Sequence, residues 1–219
     1  MPPLSIPKRT RVLEIIGVLI TALGKFIFMD YLNWKLPFIV VVAALWCYYV
    51  VYQGKKIPGI TKYWGLRTDN FLRVIRTILP FAIAAFILFV GIGIYQHTIN
   101  ITWHIVPILF LYPLWGMAQQ FLLIALTAGN LQDLKNSTTP KLIPIIVAAS
   151  LFGLIHYPFV WLIIGTFILA IFYGLIYLKE RNIYVLGIFH GWLAAIFFYT
   201  VVDRDPFVET FGRFLNISH

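Results

Sequence analysis

The sequence has few charged residues and almost no cysteine. Only 11% of its 219 residues are Asp, Glu, Lys or Arg, and Cys47 is its single cysteine. A soluble domain has about a quarter charged residues, so this composition excludes an ordinary soluble globular domain. One cysteine cannot form a disulfide within the chain, and because Cys47 lies in an apolar run we interpret it as a packing residue.

Several binding signatures are also absent. The sequence contains no internal repeat, no low-complexity segment, no glycine-rich loop that could hold phosphate, and no cysteine–histidine spacing typical of zinc. Catalytic zinc usually has three protein ligands, whereas only two histidines, His156 and His190, lie inside apolar runs. The sequence therefore predicts no cofactor and no bound metal.

Long apolar runs dominate the chain, which is 61% hydrophobic. A membrane-spanning helix needs about 20 mostly apolar residues, and six of the seven runs are long enough. Barrel strands are shorter and alternate in polarity. The sequence thus predicts an all-α fold, a polytopic transmembrane bundle of about seven helices that forms one integral-membrane domain over 1–219.

The fifth helix is the shortest, and Pro158 separates it from the sixth. Gly165 and Gly174 favour close packing of the sixth helix. The predicted helices cover 12–29, 36–52, 73–95, 104–126, 141–157, 158–178 and 183–202.

Positive charge is unevenly distributed between the two sets of loops. With the N-terminus on the cytoplasmic side, thirteen Lys and Arg residues lie inside and three outside, namely Lys35, Arg204 and Arg213. Cytoplasmic loops carry such an excess, so we predict an integral protein of a bacterial cytoplasmic membrane with its N-terminus inside. Membrane orientation and anionic lipids explain the net charge of +9. Membrane lipids are therefore predicted partners, and nucleic acid is not.

Four polar residues stand out within the apolar runs: Gln119, Gln120, His156 and His190. A polar side chain in hydrocarbon is costly and usually faces the interior of the protein or a water-filled cavity. We therefore predict that these four side chains line one polar cavity within the membrane. The alternative interpretation is a structural hydrogen-bond cluster between helices, in which each contact contributes well under about 1 kcal/mol on average.

The order of these residues resembles the CPBP family of CAAX-processing and bacteriocin-processing glutamate intramembrane proteases. The segments are WGMAQQFLLIAL, SLFGLIHYP and LGIFHGWLAA. The family pattern is Glu-Glu-x-x-x-Arg, then Phe-x-x-x-His, then His-x-x-x-Asn. Phe152 and His156 fit the second motif, and His190 fits the first position of the third. The resemblance implies a CPBP-like fold and a candidate catalytic site at Gln119, Gln120, His156 and His190.

The departures from the family pattern concern the reactive groups. Gln119 and Gln120 stand where the family has its glutamate pair, Ile124 stands where it has arginine, and Ala194 stands where it has asparagine. By the resemblance, a glutamate would activate water. A glutamine amide can hold water by hydrogen bonds but cannot take its proton. Loss of the arginine together with the carboxylates is coherent, since a buried arginine without an anion would be an unpaired charge.

These observations predict a divergent CPBP-family peptidase homologue that binds lipid-modified or transmembrane peptides in a polar intramembrane cavity. It would be either a catalytically silent pseudoenzyme or a hydrolase that uses His156 or His190 as the general base. A small-molecule transporter or a membrane scaffold protein is the alternative. The absence of repeat symmetry counts against a transporter.

Overall fold

In the computed structural model, residues 6–134 and 140–216 are described, and every regular element among them is a helix. Six of these helices are long and apolar enough to cross a membrane. The all-α prediction and the prediction of six long runs with a shorter fifth helix are therefore confirmed. The elements are α1 (Lys8–Tyr31), α2 (Lys35–Lys56), α3 (Phe71–Gln96), α4 (Ile105–Leu134), the short α5 (Leu142–Leu154), α6 (Val160–Glu180), α7 (Ile183–Val202) and α8 (Pro206–Leu215).

The predicted helix boundaries are close to those observed, with three differences. Helix α4 ends at Leu134 rather than near residue 126, and a helical turn at Ile60–Tyr63 and helix α8 were not predicted. Helix α8 begins at Pro206 because the Asp205 side chain accepts hydrogen bonds from the first backbone N–H groups, which caps the helix. The break at Pro158 is confirmed, since α5 ends before it and α6 begins after it.

The chain divides into two compact units. The first comprises Met1–Asp69 and Gln119–Ile183, and the second comprises Asn70–Ala118 and Tyr184–His219. The boundaries fall within α4 and at the start of α7, so one stretch of α4 belongs to each unit. A single domain over 1–219 stays a prediction.

The core of the first unit is the α4 segment Phe121–Gly129. This segment is π-helical and all nine of its residues are buried. Helices α1, α5 and α6 pack against it. Within the segment the Thr127 hydroxyl donates to the Leu122 carbonyl oxygen at 3.0 Å. π-helical turns occur often at functional sites, and this one directly follows Gln119 and Gln120.

Glycines bring helices close together in both units. In the first, a Cβ on Gly174 would lie 3.0 Å from the Ile145 side chain, which confirms the predicted packing of α6 on α5 there. The same prediction for Gly165 is wrong, because a Cβ there would meet nothing within 4 Å. In the second unit, Gly187 of α7 faces the backbone of Met117 in α4 so closely that no side chain fits between them.

Candidate functional site

Gln119 and Gln120 occupy the last α-helical positions of α4 before the π-helical segment. Gln120 is fully buried and Gln119 is half-buried. Ile124, which stands where the family has arginine, is also fully buried. Two of the positions at which the sequence departs from the family pattern, Gln120 and Ile124, are therefore enclosed within the first unit.

His156 lies in the connection between α5 and α6, and a hydrogen bond to the last turn of α5 fixes the orientation of its ring. Its Nδ1 is 2.8 Å from the Phe152 carbonyl oxygen, and the two rings are 5.2 Å apart. A carbonyl oxygen only accepts, so Nδ1 carries the proton of this hydrogen bond. In the neutral ring Nε2 is then an acceptor. The Thr166 hydroxyl, 3.4 Å from Nδ1, adds a second polar contact.

His190 belongs to the second unit and is 6% exposed on α7. It lies beside Gly116 of α4, where a Cβ would come within 3.2 Å of the His190 Cδ2 atom. Gln119, Gln120 and His156 all belong to the first unit. Convergence of the four side chains on one cavity stays a prediction.

A buried polar network in the first unit was missed by the sequence analysis. Glu14 on α1, which was not singled out, is 3% exposed. Arg11, one turn earlier, is 6% exposed, and Asn130 on α4 is 1% exposed. The i, i+3 spacing of Arg11 and Glu14 places both on one face of α1, which is the signal that could have revealed them.

Asn130 connects the two charged residues of α1. Its Oδ1 accepts from the Arg11 guanidinium at 3.2 Å, and its Nδ2 donates to Glu14 Oε2 at 2.6 Å. The other Glu14 oxygen accepts from the Tyr49 hydroxyl at 2.6 Å. Arg11 also pairs with Asp133 at 2.9 Å. The network thus fixes α1 against α2 and the last turns of α4.

Asp133 continues this network to the remaining connections of the first unit. It accepts from the Tyr63 hydroxyl and from the Arg181 guanidinium, the latter at 3.3 Å. The Arg181 guanidinium also lies 4.2 Å from the centre of the Tyr63 ring, within the range of a cation–π contact. These contacts explain why α4 stays helical as far as Leu134, since its polar last turn has partners.

Metal-binding chemistry finds no support in the described part of the chain. Over residues 6–134 and 140–216, no group of three or more His, Cys, Asp or Glu side chains is arranged to hold a metal ion. The Gln119, Gln120 and His156 groups offer hydrogen-bond donors and acceptors. What they can do chemically is bind and orient a polar group such as a peptide carbonyl or a water molecule.

Part of the chain matches a known protein family. Residues 100–196 match the family model described as Type II CAAX prenyl endopeptidase Rce1-like. This range contains all four candidate site residues, and it confirms the resemblance to the CPBP family predicted from the motifs. Over this segment the chain is similar to membrane proteins of the CPBP intramembrane-peptidase type. No curated protein and no solved structure matches the chain.

Proposed function

We propose that this protein is a divergent member of the CPBP family that binds lipid-modified or transmembrane peptides without cleaving them through a glutamate-activated water. The observation that supports this most is at α4. The two positions of the glutamate pair carry Gln119 and Gln120, and the fully buried Ile124 stands in the place of arginine.

The chemistry follows from the amide group. A general base must take a proton from the attacking water near the working pH, and a glutamine side chain has no basic atom that does so. It keeps the shape of glutamate and can hydrogen-bond a peptide backbone. Binding of the family's type of substrate can therefore persist where its hydrolysis is lost.

Photo-crosslinking tests the binding. A farnesylated CAAX peptide carrying a benzophenone should label the purified full-length protein saturably, with competition by unlabelled prenylated peptide and not by the unprenylated peptide. Gln120→Leu and His156→Leu should each lower labelling several-fold. Asp30→Asn, which removes a surface carboxylate paired with Lys25, is the control. Labelling that does not saturate, or that survives both substitutions unchanged, would contradict the proposal.

One observation favours a second candidate, a histidine-dependent peptidase. The hydrogen bond from Nδ1 of His156 to Phe152 leaves Nε2 as an acceptor, which is the state a general base needs. This candidate predicts peptide cleavage that His156→Ala abolishes and Gln119→Ala spares. The first candidate, a protein that binds peptides without cleaving them, predicts no cleavage by the wild type or by either variant.

A further inference from the structure

Helices α1 and α2 of the first unit enclose a cavity of about 420 Å³. Glu14, Tyr49 and Gln53 form a polar end. The rest of the lining consists of Trp46, Leu13, Leu45 and two threonines, Thr10 and Thr21. Leu13 and Leu45 are more than half exposed, so one side of the cavity opens on the surface that faces lipid. None of these residues lies within the segment that matches the family model.

One hydrogen-bond acceptor at the polar end, Gln53 Oε1, has no donor among the described residues. Gln53 is 8% exposed, and its Nε2 donates to the Tyr49 hydroxyl at 3.0 Å. Its Oε1 is buried and accepts no hydrogen bond among the described residues. A buried acceptor without a partner is rare in proteins and requires an explanation. A donor-rich ligand would satisfy it.

Charge at the polar end favours a cation as that donor. Arg11 makes its direct ion pair with Asp133 at 2.9 Å and reaches Glu14 only through Asn130. The hydrogen bonds that the two oxygens of Glu14 accept come from neutral groups, the hydroxyl of Tyr49 and the amide of Asn130. A carboxylate oxygen can accept more than one hydrogen bond. Hydrogen bonds between an ammonium group and a carboxylate are about twice as strong as neutral ones.

The aromatic wall suits the same ligand. The rings of Trp46 and Tyr49 are 5.5 Å apart and nearly perpendicular, and the Trp46 indole donates to the Thr21 hydroxyl at 3.2 Å, which fixes its orientation. Aromatic faces attract cations. The leucines beyond them offer an apolar surface to an aliphatic chain.

We propose that this cavity is a binding site for a protonated primary amine carried on an aliphatic chain. Glu14 and Gln53 accept from the ammonium group, Trp46 and Tyr49 flank it, and the chain follows Leu13 and Leu45 toward the lipid. The amine could be supplied by a free alkylamine or by the head group of an aminophospholipid. The residues of this site lie on α1 and α2, and none of them is among the residues proposed to bind peptide.

Calorimetric titration of the full-length protein in a non-ionic detergent tests this site. Hexylamine should bind saturably and hexanol, the same chain without the charge, should bind at least about tenfold more weakly. Glu14→Gln should raise the Kd for hexylamine at least about tenfold and leave hexanol unchanged. Asp30→Asn, on the same helix and outside the cavity, should have no effect. Equal binding of the two probes would overturn the proposal.

A second variant covers the case in which Glu14→Gln fails to fold. Trp46→Leu keeps every carboxylate and should weaken hexylamine binding about 3–10-fold, with hexanol unaffected. An unchanged Kd in this variant would also overturn the proposal. In nanodiscs, phosphatidylethanolamine should compete with hexylamine where phosphatidylglycerol does not if the amine is a lipid head group. Equal titrations in the two lipids would assign the site to a free amine.

Discussion

At the scale of single residues, Asn130 both accepts and donates a hydrogen bond between two charged side chains, which requires an amide. Its oxygen accepts from the Arg11 cation while its nitrogen donates to the Glu14 anion. A carboxylate cannot donate and a hydrocarbon can do neither. Buried charges are stable only when they are paired and hydrogen-bonded, so one neutral side chain keeps two charged ones in the interior of the first unit.

Replacement of Asn130 should therefore destabilise the protein strongly. Asn130→Leu leaves one hydrogen-bonding group of Arg11 and one of Glu14 unsatisfied, and we expect a loss of about 1–3 kcal/mol for each of these groups. Unfolding in detergent micelles measures this loss. Asp30→Asn, which breaks an exposed ion pair, should cost no more than about 1 kcal/mol. A wild-type unfolding midpoint for Asn130→Leu would contradict the account.

Asp205 of the second unit should make the free energy of unfolding depend on pH in the acidic range. Burial opposes ionisation of this carboxylate, but hydrogen bonds from His104, Tyr199, the Val208 N–H and Thr102 outweigh it and hold the pKa below the ordinary value. Because the pKa of Asp205 is lower in the folded protein than in the unfolded chain, where it is about 3.9, its ionised form stabilises the fold. This contribution to the free energy of unfolding is fully present above about pH 3.9. That stability is lost as the pH falls through the folded pKa.

Thermal unfolding between pH 7 and pH 2.5 tests this dependence. Asp205→Asn should lower the Tm at neutral pH, by about 2–4 °C for each kcal/mol lost, and should flatten the decline in acid. Asp203→Asn, an exposed neighbour, is the matched control and should behave as wild type. Parallel pH profiles for wild type and Asp205→Asn would show that Asp205 contributes nothing.

Sequence reasoning found some single residues and missed others for a physical reason. Gln119, Gln120 and His156 were singled out because a polar side chain in an apolar run is conspicuous, and their part in a site stays a prediction. Glu14 was missed because it lies close to the basic N-terminal segment and its partner Asn130 is 116 positions away in the chain. Hydropathy along the sequence carries no information about such pairs.

At the scale of helices, the sequence was most informative where length and apolarity decide the structure. All six spanning helices and the short α5 were predicted, since the width of the bilayer fixes how long a spanning helix must be. Helix α8 was missed because it is only ten residues long and amphipathic, with Phe207 and Phe211 on one face. The end of α4 at Leu134 depends on the partners of Asp133, which hydropathy does not show.

Replacement of a glycine by alanine should affect stability in opposite directions at a tightly packed position and at an open one. Gly187, where α7 approaches α4 in the second unit, is the tightly packed position. Gly187→Ala should cost about 1–3 kcal/mol, because its methyl group would overlap Met117. Gly165→Ala, also within a helix but with open space around it, should be neutral or stabilising by up to about 1 kcal/mol. Unfolding midpoints of the two variants in the same detergent make the comparison. Equal effects would argue against tight packing at Gly187.

At the scale of the whole molecule, the surface and the charge both suit a membrane. Only 11% of the most apolar window in α1 and in α2 is buried within the protein, against 61% for α7. The exposed apolar surface of α1 and α2 is satisfied by lipid. From the excess of Lys and Arg in alternate loops we expect the N-terminus to lie on the cytoplasmic side.

Accessibility labelling tests that orientation. In a Cys47→Ser background, cysteines introduced as Lys8→Cys and Lys56→Cys should react with a membrane-impermeant maleimide only after the cells are opened. Asn100→Cys, in the loop between α3 and α4, should react in intact cells. Both Lys8 and Lys56 are exposed in the structure. If the introduced cysteines do not react in intact cells, the membrane, and not burial within the protein, blocks the reagent. Reaction at Lys56→Cys from outside would reverse the topology.

The central claim, that the chain binds CAAX-type or transmembrane peptides without cleaving them, is tested most directly by mass spectrometry of a farnesylated CAAX peptide incubated with the purified wild-type chain. We expect no cleavage above the protein-free control. Gln119→Glu alone should restore little, since the new carboxylate would lack a cationic partner. Gln119→Glu, Gln120→Glu, Ile124→Arg and Ala194→Asn together should cleave better than any one of them. Robust cleavage by wild type, abolished by His156→Ala and unaffected by Gln119→Ala, would contradict the claim and make His156 the base.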